Sequence, residues 1–256
     1  MQFLDRLAVI TGGAKGIGAA TAQAFRREGA RVALLDVDDS AAQLAKELGA
    51  GTLFLKCDVS KSAEVNGAVQ KVIAQLGDIS FLINNAGIQT YGTCADTTEE
   101  DWDRTINVNL KSAFLASKAA IPSMLKRGGG VVINLASVQA FVSQNQVAAY
   151  TTSKTALLGL TRSIAVDFAP KVRCVAICPG TVDTPMLRGA IALSPKPEEV
   201  LRECNEMHPV QRIGTPEEIA ELILFCCSDK AGFMTGQPIR IDGGLGLSIG
   251  GSKRSE

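Results

Sequence analysis

The chain has 256 residues, 26 Lys and Arg against 26 Asp and Glu, one His, seven Cys and 46% hydrophobic residues. This is the composition of one compact domain with a core large enough that stability asks for neither disulfides nor a structural metal. Zero formal net charge and the lack of a Lys/Arg cluster leave no electrostatic footprint for nucleic acid.

The first residues, Met1 to Leu7, carry charges inside their only early apolar run, and no stretch approaches the ~18 apolar residues of a membrane span. A cytoplasmic protein with no membrane partner is expected. The seven cysteines are odd in number and mostly lie in apolar runs, as reduced buried thiols do. A single histidine, His208, and no CxxC pair provide no zinc ligand set, so no metal site is expected.

Short runs rich in Val, Ile and Leu alternate with longer amphipathic stretches, the pattern of repeated βα units. In chain order the strands are predicted at Leu7–Thr11, Arg31–Leu35, Thr52–Cys57, Ile79–Asn84, Val131–Asn134, Arg173–Ile177 and Pro238–Ile241. Helical patterns fall between them, near Ile17–Glu28, Ala41–Leu48, Ala63–Leu76, Glu99–Lys126, Tyr150–Phe168 and Pro216–Cys226. Most of the strands are continuously apolar, which burial on both faces by flanking helices requires. The expectation is a single α/β domain over residues 1–256, a doubly wound parallel sheet with helices on both faces.

Residues 181–214 break the rhythm, with Pro185, Pro195, Pro197 and Pro209 among charges, and are long for a connection in a compact domain. They read as a substrate lid. The glycine-rich tail, residues 245–256, is expected either to fray or to dock on a neighbouring subunit.

Directly after the first strand comes Thr11-Gly12-Gly13-Ala14-Lys15-Gly16-Ile17-Gly18, which opens a helix. Such a turn lets backbone N–H groups approach a pyrophosphate while the helix presents its positive end, making Gly12, Lys15, Gly16, Ile17 and Gly18 candidates for dinucleotide binding. No Gly-Lys-Ser/Thr follows, so it is not a Walker A loop. About twenty residues on, Asp36 ends the second strand, where a carboxylate accepts from both ribose hydroxyls and repels a 2′-phosphate; NAD is preferred, and Lys15 keeps NADP open. Asp58 and Val59 follow the third strand, where Asp58 either meets an adenine amino group or serves as a turn acid.

Of two tyrosines, Tyr150 opens Tyr150-Thr151-Thr152-Ser153-Lys154. The i, i+4 spacing puts phenol and ammonium on one helix face, and a nearby cation lowers a phenol pKa, making Tyr150 a candidate general base. Ser137 ends the run from Val131, which brings its hydroxyl to the carboxyl edge of the sheet, where such folds bind ligands.

Together the glycine loop, Asn84-Asn85-Ala86-Gly87, Asn109, Ser137, Tyr150-x-x-x-Lys154, Pro179-Gly180 and Asp242-Gly243-Gly244 resemble the short-chain dehydrogenase/reductase family over residues 4–244. The resemblance implies a Rossmann-type sheet of seven strands and hydride transfer with a nicotinamide cofactor. It implies that Ser137 positions the substrate oxygen, Tyr150 exchanges its proton, Lys154 holds the nicotinamide ribose and Asn109 anchors a relay water. Asn85, Ala86 and Gly87 would lie along the cofactor, and after Pro179 and Gly180, which also line it, Thr181, Val182 and Thr184 would meet its carboxamide. A homotetramer is implied as well, and is consistent with small residues (Ala113, Ala116, Ala119, Ala156, Gly159) on two of the long helices.

Local runs at Ile88–Gly92, Ser137–Ala140 and His208–Gly214 resemble microbial aldose 1-dehydrogenases, with Gln89 where the aldohexose enzyme has a glutamate. Gln89 and Gln139, beside Ser137 and Tyr150, are the substrate candidates, neutral amides suited to a sugar. Arg188 and Arg212 keep a sugar acid or a hydroxyacid open, and the run Arg173-Cys174 with Cys178–Pro185 also resembles hydroxybutyrate-type and deoxy-keto-sugar-acid dehydrogenases; another secondary alcohol is the remaining alternative. A fatty-acyl ketoreductase fits poorly with Asp36 and balanced charge, and a non-catalytic dinucleotide sensor would not need the Ser137, Tyr150 and Lys154 set.

Overall fold

The computed structural model describes residues 1–247. Seven strands form one sheet: β1 (Leu7–Thr11), β2 (Arg31–Asp36), β3 (Thr52–Lys56), β4 (Phe81–Asn84), β5 (Gly130–Leu135), β6 (Val172–Pro179) and β7 (Pro238–Ile241). Their spatial order is β3-β2-β1-β4-β5-β6-β7 and every pairing is parallel. This is the Rossmann-type, doubly wound arrangement.

Alternation within the apolar runs explains why they have no polar face. On β1, Ala8 and Ile10 join one core while Leu7 and Val9 join the other; on β2, Val32 and Leu34 part from Ala33 and Leu35 in the same way. The first core is closed by α1 (Gly16–Arg27), α2 (Ser40–Leu48) and α9 (Pro216–Cys227). The second is closed by α3 (Ser62–Leu76), α5 (Ser112–Lys126) and α6 (Ala148–Phe168). A period of two along each strand and apolar helices on each side thus produce the continuous runs.

The predicted Glu99–Lys126 helix is not uniform. It comprises α4 (Glu99–Ile106), a widened π-helical stretch at Asn107–Lys111, and α5. Such single-turn widenings concentrate at functional sites, and this one contains Asn109.

Residues 181–214 are not a bare connection. They hold α7 (Pro185–Ala192) and α8 (Pro197–Glu206), each with its proline in the first helical turn, where a missing N–H costs no hydrogen bond. Their ends meet: Val182 bridges Gly214, with Asp183 N donating to Gly214 O at 2.9 Å and Gly214 N to Thr181 O at 2.9 Å.

Two of the small residues on those long helices, taken above as consistent with a homotetramer, are turned inward, since Ala113 and Ala116 are buried in this chain's own cores. Of the tail, Leu245–Leu247 form one 3₁₀ turn, and residues 248–256 lie outside the described residues. Among the described residues no helix is long and apolar enough to cross a membrane.

The amino-terminal segment is fastened by three rings. Phe3, Phe25 and Phe81 have centroids 5.1–5.4 Å apart, with Phe25 stacked on Phe81 and Phe3 edge-on to it. Phe25 is fully buried, so Phe25→Ala is expected to lower the unfolding free energy by about 3–4 kcal/mol, read as a shifted urea midpoint with an unchanged slope.

Candidate active site

The strand order reverses direction between β1 and β4, and the crevice at such a reversal is where open α/β sheets take ligands. Here it is a cleft of about 890 Å³. The loop after β1 forms its floor. Gly12 has φ +64°, and a Cβ there would stand 2.8 Å from Ala86 Cα; a Cβ on Gly18 would stand 2.1 Å from Gly12 O. The chain therefore passes closer than any side chain permits. Asn85 clamps it, donating Nδ2 to Thr11 O (3.0 Å) and Gly12 O (2.8 Å), while the Thr11 hydroxyl accepts from the N–H groups of Asn85 and Ala86, each at 3.1 Å.

At the start of α1 no side chain caps the helix and no acidic residue sits in the first turn. Its orphan N–H groups suit a phosphate, and the glycine cradle leaves the room a pyrophosphate needs. The residues present fit a dinucleotide. Asp36, which lines the cleft, fits its ribose end: Oδ2 accepts from Ala14 N (2.9 Å) and Oδ1 from Asp38 N (3.0 Å), and each oxygen keeps a further lone pair. Lys15 is paired with Asp38 at 2.6 Å, which holds the Asp38 carboxyl well below the usual range and raises Lys15. Asp58 lines the cleft beside Val59 but acts as a turn acid too, its Oδ1 accepting from the Ser60 N–H and hydroxyl and its Oδ2 lying 3.3 Å from Lys61. The Ser60 hydroxyl is the main cause of its lowered pKa.

At the other end α6 places Tyr150 and Lys154 one turn apart. Lys154 is buried, donates Nζ to Leu135 O at 2.7 Å, and stands 5.6 Å from the centre of the Tyr150 ring. Burial pushes the Lys154 ammonium down to about 8. Burial also raises the Tyr150 phenol, against an opposing hydrogen bond from Ser137 and with Tyr91 adding to the rise. The lowering expected from Lys154 does not dominate, because the ammonium faces the ring and both groups share the same dry surroundings. Ser137, just past β5, turns its Oγ to accept from Gln139 N at 3.1 Å, capping a 3₁₀ turn.

Two expected residues lie behind the cleft wall. Gly18 sits against Gly12, and Asn109 is buried under Gly87, whose missing Cβ would be 3.5 Å from both Asn109 Oδ1 and Lys154 Nζ. Asn109 exchanges hydrogen bonds with Ile88, accepting its N–H (2.8 Å) and donating to its carbonyl (2.9 Å), and donates also to Ser153 Oγ (3.0 Å).

The remaining candidates, including Pro179, Gly180, Val182, Thr184, Gln89 and Gln139, line the cleft. The Gln139 amide is partly engaged, with Gln144 Oε1 at 3.3 Å and the Thr151 hydroxyl at 3.2 Å. Sequence reasoning missed the apolar wall opposite: Met186, Leu187, Ala190 and Ile191 of α7, Val200 and Cys204 of α8, and Met207, with Tyr91 from the facing loop. Thr11 opens the glycine-loop motif in the sequence, but nothing there shows that its hydroxyl receives the N–H groups of Asn85 and Ala86. Neither Arg188 nor Arg212 lines the cleft; Arg188 forms a fork on Asp183 (2.7 and 2.8 Å) and Arg212 one on Glu218 (2.6 and 2.9 Å). Among the described residues no three His, Cys, Asp or Glu side chains gather as a metal site.

This geometry has counterparts among known proteins. A family model described as enoyl-(acyl carrier protein) reductase matches residues 12–246. An uncharacterized oxidoreductase of Thermotoga maritima is 43% identical over 249 residues, covering 95% of this chain and 98% of its own. 2-(S)-hydroxypropyl-CoM dehydrogenase 3 of Xanthobacter autotrophicus is 39% identical over 249 residues with the same two shares. The solved aldohexose dehydrogenase of Thermoplasma acidophilum superposes with a TM-score of 0.92 at 38% identity, covering 99% of this chain and 98% of that one. A parallel sheet that reverses at a glycine cradle, a Tyr150–Lys154 pair under that crevice and relatives of this kind lead to one conclusion: the chain belongs to the short-chain dehydrogenase/reductase family and is an oxidoreductase acting on CH–OH groups.

Proposed function

We propose that the protein is an NAD-dependent dehydrogenase of a neutral polyhydroxylated substrate, an aldose oxidised at its hemiacetal carbon. The observation that carries this reading is the charge of the substrate end: neutral Gln89, Ser137, Gln139 and Tyr150 face it, while Arg188 and Arg212 are held by carboxylates outside the cleft. A carboxylate substrate would lack a fork to bind it. The likeness to the Thermoplasma acidophilum aldohexose dehydrogenase points the same way. A second reading, a less polar secondary alcohol, draws on the apolar wall of α7 and α8 and on the name of the Xanthobacter autotrophicus relative.

Gly12, Gly16, Ile17, Asp36, Asn85, Ala86, Gly87, Pro179, Gly180, Val182 and Thr184 would hold the dinucleotide, whose nicotinamide supplies the hydride acceptor when bound. Tyr150 takes the hydroxyl proton, the Ser137 hydroxyl orients the substrate oxygen, and Lys154 holds the ribose. Asn109 anchors a relay water from beneath Gly87. Residues 181–214 act as the lid that excludes water while charge moves. We also assign a homotetramer, in which the exposed Phe114, Val166, Phe225 and Phe233 supply apolar surface to cover.

Initial rates with NAD and NADP across aldoses, polyols, simple secondary alcohols, 3-hydroxybutyrate and sugar acids test the substrate. A neutral aldose is expected to turn over best, with kcat/KM for oxidation rising as pH rises, since the base must be deprotonated. Tyr150→Phe is expected to lose about 10²–10⁴ of that rate. Activity on hydroxyacids alone would overturn the neutral-substrate reading.

The cofactor preference is tested at Asp36. Asp36→Asn keeps an acceptor for the loop N–H but removes the charge that faces a 2′-phosphate. The ratio of kcat/KM for NAD over NADP is expected to fall about tenfold, equivalent to ~1.4 kcal/mol; an unchanged ratio would locate the selectivity elsewhere.

Lys154 makes a separate, structural prediction. Its folded pKa, about 8, lies below the ~10.4 of an unfolded lysine. The unfolded chain then binds more protons between those values, so stability rises with pH through that window and the cost of burying the charge is felt in full below it. Lys154→Met, though inactive, is expected to be about 1–2 kcal/mol more stable than the natural chain at pH 7, with the difference closing by pH ~10 in chemical denaturation.

A further inference from the structure

On the edge of the sheet opposite the cleft, at the amino ends of β4, β5 and β6, lies a second hollow of about 530 Å³, into which Arg6, Arg127, Lys171 and Arg173 open. Among the described residues Asp229 is the one carboxylate in its lining. Elsewhere on the molecule cations are commonly matched, as in Lys15–Asp38, Arg27–Glu221 and Lys56–Asp39. Among the described residues these four make no ion pair.

Hydrogen bonds to backbone carbonyls orient Arg173 and Arg127 without neutralising them. Arg173 donates to the carbonyls of Cys226 (2.9 Å), Met234 (3.1 Å) and Ser228 (3.2 Å), and Arg127 donates to Gly129 O (3.2 Å). Burial and the neighbouring charges of Arg6 and Arg31 all disfavour the charged form of Arg127, with Asp78 opposing. Like charges are thus gathered in a partly desolvated hollow, where each would be stabilised by an anion between them.

We infer that this hollow is a binding site for a compact oxyanion of two or more charges. Guanidinium forks match phosphate and carboxylate oxygens in pairs; Arg6 and Arg127 keep such forks, Arg173 with its N–H groups on three carbonyls adds charge alone, and the volume exceeds what one phosphate fills. The backbone adds nothing, since the N–H groups of Gly128, Gly129 and Gly130 are already donated to Leu125, Met124 and Lys171. A nucleobase would find no ring to stack on, because Phe3 and Phe81 are 3% and 4% exposed and packed on each other.

The test loads the cleft with saturating NAD, so that the start of α1 cannot compete, and titrates pyrophosphate and, separately, citrate by calorimetry at low ionic strength. Saturable binding of either anion at one site per chain, with a raised Tm, is expected. Arg6→Gln with Arg127→Gln is expected to weaken it at least ~tenfold while NAD-dependent turnover stays as in the natural chain. Arg6→Gln alone, whose side chain makes no hydrogen bond among the described residues, is expected to weaken it several-fold and decides the matter if the double variant does not fold. The inference is overturned if neither anion binds the NAD-loaded protein, if binding is unchanged in the variants, or if ADP binds there more tightly than pyrophosphate.

Discussion

The contact on which the rest depends is the meeting of two backbones where the sheet reverses. β1 and β4 are neighbours whose following chains part in opposite directions, and a crevice stays open between them only if the loop after β1 lies flat against the residues after β4. The Asn85 amide and the Thr11 hydroxyl hold it there with four hydrogen bonds, and Gly12 and Gly18 permit it by having no side chain to object. The same bracing fixes Gly87, and through it the distance to Asn109 and Lys154. One short stretch of β4 and the loop beyond it therefore sets the floor at the phosphate end and at the chemical end together.

Much of this was legible because it is written in local chemistry. The glycine spacing after Leu7–Thr11, the carboxylate at Asp36 and the i, i+4 relation of Tyr150 to Lys154 each follow from short-range geometry, and β1 and β7 fall where their apolar runs end. The features that escaped depend on distant partners. Pro185 and Pro197 read as breaks in a loop, yet a proline in the first helical turn looks identical in sequence to one that ends a helix. The widening at Asn107–Lys111 holds Asn109, whose amide bonds Ile88 and Ser153, neither near it in sequence. Thr11 resembled any strand threonine until its hydroxyl met Asn85. The direction of the Tyr150 shift was misjudged because spacing reveals the neighbouring cation but not the depth at which both groups are buried.

Charge is distributed with a polarity that runs the length of the cleft. Asp36, Asp38 and Asp58 gather at one end, and the buried Lys154 stands near the other. Lys154 is the expensive member: an ammonium with a carbonyl and an aromatic face for company and, among the described residues, no carboxylate partner. Such an arrangement costs stability and persists where it serves a reaction. The cores on either side, each closed by three helices, provide the margin that makes the cost tolerable.

Residues 181–214 leave and rejoin the fold at a bridge between Val182 and Gly214 and are pinned near their ends, by Thr184 against Gly16, by His208 accepting from Thr181 N and by Val210 N donating to Gly243 O, so the excursion between those pins is modular. Between those pins the length and side chains of α7 and α8 can drift without shifting the register of any strand, and the Tyr150–Lys154 pair is built outside them. An ancestral scaffold of this kind can therefore be re-tailored to new alcohols by rewriting one self-contained insert, with the hydride chemistry inherited unchanged.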